Sequence, residues 1–135
     1  MGHRIAGGLA IVFGLLLSAA PAVAHHAFAT EFDATKPVTK RGIVTKIQWT
    51  NPHAWIYINV KNPEGVIEHW GFEMGGPNGL QKEGWSRNTI KIGEELIVEG
   101  WMSRNGSKSA NSKNVTIAKT GQKLGAASSQ GQQLP

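Results

Sequence analysis

The side chains with the most chemistry to offer stand near the front of the chain. His25 and His26 lie directly behind Ala22-Val23-Ala24. An A-x-A triplet that closes an uncharged apolar run is a signal-peptidase site. Met1-Gly2-His3-Arg4 supplies the positive start, and Ile5 to Ala20 carries no charge. Cleavage after Ala24 makes His25 the first residue. Its free α-amine and its imidazole Nδ1 then chelate one ion in a six-membered ring. Such nitrogen donors suit Cu(II), which heads the divalent affinity series. His26 is adjacent, but neighbouring side chains on an extended chain point apart, so it is an auxiliary ligand or a bystander. His53 is the candidate second imidazole, because it follows the Asn51-Pro52 break at a strand start, where loops present functional groups. The predicted metal set is therefore His25, His53 and His26, with copper as the candidate cofactor. Ala27 occupies the third position of the cleaved chain, so the three-residue amino-terminal copper motif is absent. His69 reads as a mid-strand residue. Met74 and Met102 are either soft donors or packing residues.

The second constellation is aromatic. Trp49, Trp55, Tyr57, Trp70, Trp85 and Trp101 crowd the middle of the chain. In "HAWIYINVK", Ala54, Ile56, Ile58 and Val60 share one face, while His53, Trp55, Tyr57 and Asn59 share the other. With the aliphatic face inward, Trp55 and Tyr57 are either a ligand-binding platform or rings packed under another segment. They are the candidate ligand-binding residues.

Short strands must position these groups. "GIVTKIQW" alternates, and "TNPH" breaks the ladder because Pro52 lacks an amide hydrogen. "HAWIYINVK" and "VIEHWGFEM" flank the Asn62-Pro63-Glu64-Gly65 turn as a hairpin. "GGPNG" is a breaker, and Leu80 to Trp85 suits one or two helical turns. "EELIVEGWMS" and "SANSKNVTIA" flank Asn105-Gly106, a hairpin dipeptide. The predicted domains are a signal peptide at 1–24, an arm at 25–37, a β-barrel at 38–118 and a disordered tail at 119–135. The predicted class is all-β and mainly antiparallel. It is a small five-stranded OB-like barrel with one short helix between the third and fourth strands, preceded by a signal-peptide helix. An open antiparallel sheet or small sandwich is the alternative.

The strings "HHAFATEFD", "KPVTKRGIVTKIQWTNPHAWIYI", "FEMGGPNGL" and "IKIGEELIVEG" resemble a family of small exported bacterial proteins known only as a domain of unknown function. The resemblance runs over roughly residues 25–119, and "TNPHAW" and "FEMGGPN" are its distinctive parts. It implies export and a small β-rich fold, and it brings neither an activity nor site residues. "IKIGEELIVEG" also resembles the fourth strand of OB-fold proteins.

Composition narrows the function. The chain has 135 residues and no Cys, so it holds no thiolate site, cysteine nucleophile or disulfide. Removal of 1–24 leaves 111 residues with 13 basic and 9 acidic side chains. The basic residues are scattered, which is a cationic surface and not a nucleic-acid stripe. The apolar run at 5–20 is shorter than the ~20 residues of a membrane span. No serine sits in a nucleophile elbow, and Gly75–Gly79 lacks the lysine of a phosphate loop. These readings predict an exported, non-enzymatic β-barrel, periplasmic or secreted, whose partner is a metal ion or small ligand. The alternative is an envelope protein- or polymer-interaction module working through the aromatic strand face.

Overall fold

The computed structural model describes residues 27–128. Residues 1–24, read from the sequence as a signal peptide, lie outside the described residues, as do His25, His26 and residues 129–135. Residues 27–31 are helical. There follow β1 (Phe32–Gln48), β2 (Trp55–Lys61), β3 (Ile67–Glu73), α1 (Pro77–Lys82), β4 (Glu95–Ser103), β5 (Ser109–Ile117) and β6 (Lys123–Gly125). Among the described residues no helix is long and apolar enough to cross a membrane.

The strands close into a ring in the expected OB-like order. β1 pairs antiparallel with both β2 and β4, β2 with β3, and β4 with β5. A short parallel pairing of Gly71–Glu73 with Ser109–Asn111 closes it. The length of β1, 17 residues, makes closure possible. Its first part pairs with β4 up to Ile43↔Glu95, and from Ile43↔Asn59 onward it pairs with β2. The register with β2 shifts between Val44 and Lys46. A bulge there bends the strand and brings Val44 and Ile47 to the same side. Val44 is buried and Ile47 packs partly against the core. A second shift falls between Glu99 and Gly100 on β4. A Cβ on Gly100 would strike the Asn111 carbonyl oxygen, so this turn of the ring requires a residue without a side chain.

The β2 alternation is realised as read: Ala54, Ile56, Ile58 and Val60 face the core. They meet Phe72 and Met74 of the β3 side, Leu96 and Val98 of β4, and Val115 of β5. α1 lies between the third and fourth strands in the chain and places Leu80, 1% exposed, in the core. Full burial of such a leucine is worth about 2–3 kcal/mol. Trp85 follows α1, and its Nε1–H donates to the Gly125 carbonyl at 2.7 Å.

Two segments differ from their sequence expectation. Strand structure begins at Phe32, inside the stretch read as an arm, because the opposite edge of β4 accepts it as far as Phe32↔Ser103. Residues 119–128 do not form a disordered tail. The parallel pairing with β3 uses Ser109–Asn111, which leaves the β5 edge beyond Asn114 open. β6 takes that edge, and Ala126, Ala127 and Ser128 are buried behind it.

Candidate ligand face

The outer surface of β2 and β3 carries the candidate site. Register sets its rows: Trp55 lies opposite Glu73, Tyr57 opposite Gly71 and Asn59 opposite His69. Trp55 and Tyr57 stack with ring centroids 6.2 Å apart and 18° between planes. Both are half-buried. Tyr57 is oriented by its hydroxyl, which donates to Gln48 Oε1 at 2.8 Å. Gly71 is the floor beneath the rings: a Cβ there would lie 3.2 Å from the Tyr57 ring and 3.8 Å from the Trp55 ring. The rings border a groove of about 590 Å³, which Lys46, His69 and Lys108 also line. The Lys46 ammonium lies 5.2 Å from the Tyr57 ring centroid. Lys108 pairs with Glu68 at 3.3 Å, and His69 Nδ1 lies 2.6 Å from Asn59 Oδ1.

A second cavity of about 400 Å³ adjoins this groove and shares Trp55 and Ser109 with it. One wall is the amino-terminal arm, through Thr30, Glu31 and Phe32. Apolar contact holds that arm down. Phe28 lies 5.4 Å from Phe32 and edge-on to Trp101 at 5.8 Å. Arg104 ties its end: the backbone N–H donates to the Glu31 carbonyl at 2.9 Å, and Nε donates to the carbonyls of Ala29 at 2.6 Å and Phe32 at 3.1 Å. A cation beside the last carbonyls of a helical turn is also favoured by the peptide dipoles. Asp33 accepts from the backbone N–H and hydroxyl of Thr35, at 3.0 and 2.6 Å. Those bonds first, and then the nearby Arg104, hold its carboxyl below the usual range.

Glu73 is the acidic group under the arm. It is 7% exposed. Burial foremost, and then the neighbouring charge of Glu31, push its carboxyl up to about 7, against one hydrogen bond from Asn111 that lowers it. Asn111 Nδ2 donates to Glu73 Oε1 at 3.3 Å, and His53 Nδ1 lies 3.0 Å from the same oxygen. Asn111 Oδ1 is buried without a partner.

The predicted residues thus divide. Trp55 and Tyr57 come together on one outward face. His53 sits at its edge, bound to Glu73, while His25 and His26 lie outside the described residues. Among the described residues no three His, Asp or Glu side chains converge as a metal set. Met74 is 0% exposed and Met102 packs against the core; both are filling residues. His69 is on the surface of β3. Sequence reasoning missed Glu73 and Asn111 as site residues. The available signal for Glu73 was strand parity, which puts it on the same outer face as Gly71.

No curated protein matches the sequence. A family model described as a family of unknown function (DUF6152) matches residues 13–112, and the chain belongs to that family.

Proposed function

We propose that this chain is an exported, non-enzymatic β-barrel binding protein, and that Trp55 and Tyr57 are its ligand platform. The stacked, half-buried pair over the Gly71 floor is the observation that carries the reading. A core aromatic is enclosed on all sides, whereas these rings border a groove of about 590 Å³. The outer face of the second and third strands is also where closed rings of this order bind extended ligands. Stacking on an aromatic side chain contributes about 1–3 kcal/mol per ring, so the ligand presents a flat ring or the apolar face of a sugar. Chemical-shift mapping with N-acetyltyramine and with a series of soluble oligosaccharides tests this. The expected response is at the Trp55 indole N–H and the Gly71 amide, and Trp55→Ala with Tyr57→Ala abolishes it. Silence of these two signals toward every probe refutes the reading.

The second reading is a copper-type ion bound where the amino terminus meets His53. Support comes from the His53–Glu73 contact. A carboxylate on one ring nitrogen fixes the tautomer and frees the other nitrogen as a ligand, which is how metal-bound histidines are held. His53 Nε2 is then the free donor. His25 contributes amine and imidazole once cleavage exposes it, and His26 is auxiliary. His26 precedes Glu31 by five residues, and Glu31 is a neighbour of Glu73. Copper titration of the chain that begins at His25, beside one with a residue added in front, tests the site. The expected result is tight binding only by the first, lost in His53→Ala. Equal weak binding by both forms removes the reading.

A further inference from the structure

We infer that the ligand of the Trp55–Tyr57 face carries a protonated amine beside its ring, with the ring on Trp55 and the ammonium in the Glu31–Glu73 cavity. The inference rests on the reading of that face as a ligand platform. Its first support is continuity: Trp55 and Ser109 line both cavities, so a ring seated on Trp55 has its substituents at the mouth of the acidic one. Its second support is charge. The groove end bears Lys46 and Lys108, the latter paired with Glu68, while the arm end bears Glu31 and Glu73 with no lysine or arginine among the described residues of its lining. A cationic group is repelled from one end and attracted to the other, which sets the orientation of the ligand as well as its charge. The third is an excess of acceptors. The Asn111 carboxamide that donates to Glu73 leaves its own oxygen buried and unpartnered. An ammonium brings three donors and no acceptor to the two carboxylates that line the cavity.

The test compares tyramine with N-acetyltyramine by calorimetric titration of the purified protein. The two probes share a ring and differ in the amine. Tyramine is expected to bind about tenfold tighter, the scale of one charge-assisted contact. Glu73→Gln and, independently, the exposed Glu31→Gln bring tyramine down towards the affinity of N-acetyltyramine. Equal affinity of the two probes, with both lost in Trp55→Ala, overturns the amine and leaves the platform standing. Binding of either probe that is indifferent to Trp55→Ala overturns the platform and the amine with it, as does binding of neither. A preference of the Glu73 site for Cu(II) or Zn(II) over tyramine also overturns the amine.

Discussion

Replacement of Glu73 by Gln should stabilise this protein above neutral pH and do little below pH 5. In the fold the carboxyl prefers its neutral form, because burial and Glu31 oppose the charge and raise its pKa from 4.5 to about 7. The unfolded chain releases the proton near the ordinary value. Wild-type stability from this group is therefore fully present below about pH 4.5 and is lost as pH rises towards 7. A rise of this size corresponds to at most ~3–4 kcal/mol at ~1.36 kcal/mol per pH unit. The His53 imidazole beside the same oxygen and residual solvent reduce this to about 2 kcal/mol. Gln is neutral throughout and retains an acceptor for Asn111 Nδ2, so it does not pay the ionisation penalty. Urea unfolding of both proteins at about pH 5 and about pH 8 reads the difference. With a slope of about 1–2 kcal/mol per molar urea for a domain of this size, the Gln midpoint should lie about 1–2 M higher at the alkaline pH and near the wild-type value at the acidic one. Titrating groups that do not interact with Glu73 are common to both proteins and cancel, which leaves Glu31 and His53 as its coupled neighbours. The same midpoint difference at both pH values would show that Glu73 does not carry a buried ionisation, and the electrostatic reasoning on this cavity would fall.

Two further outcomes follow from the packing. Gly100→Ala places a Cβ against the Asn111 carbonyl and should destabilise the ring by about 3 kcal/mol, read as a fall of about 10–20 °C in Tm; an unchanged Tm contradicts the close approach of β4 and β5. Arg104→Ala removes the Nε bonds to the Ala29 and Phe32 carbonyls but leaves its backbone N–H in place. The half-exposed side chain should be worth about 1–2 kcal/mol, seen as faster proteolysis and amide exchange in residues 27–37 with β2 and β3 still protected. Equal protection of the arm in both proteins refutes the clamp.

Much of the fold was legible because its signals are local. The period of two in "HAWIYINVK", the turn residues at Asn62–Gly65 and Asn105-Gly106, and the "GGPNG" break each act within a few residues. Together they implied the strands, the helix position and the OB-like order. The entry into β1 was not legible. Residues 32–37 read as an arm because they mix charges with Pro37, and their strand conformation depends on an edge of β4 more than sixty residues away. β6 is three residues with no hydrophobic period, made a strand only by the edge of β5 that β3 leaves open. Trp55 and Tyr57 were visible as an outward pair, yet alternation alone did not separate a platform from rings packed under the arm. That depended on where the arm lies, and Phe28 and Phe32 set it against Trp101 instead.

The same placement explains why Glu73 escaped a sequence reading. A glutamate on the outer face of a strand is normally solvated, and by parity Glu73 belongs to that class with Gly71. What removes it from water is a segment distant in sequence that Arg104 and two phenylalanines fix over this end of the sheet. The arm therefore does two things to one carboxyl. It buries Glu73 behind Thr30, Glu31 and Phe32, and it brings a second carboxylate beside it. A fold selected for stability alone gains from neither, since an apolar residue opposite Trp55 would bury well and remove the repulsion. Two acids held together beside an open aromatic platform are better explained by a positive group that joins them. The chain has two ways to supply one: a ligand amine entering over Trp55, or a metal ion bridging His53 and the amino terminus. The tyramine and copper titrations divide these, because the amine requires Trp55 and the metal requires a free His25.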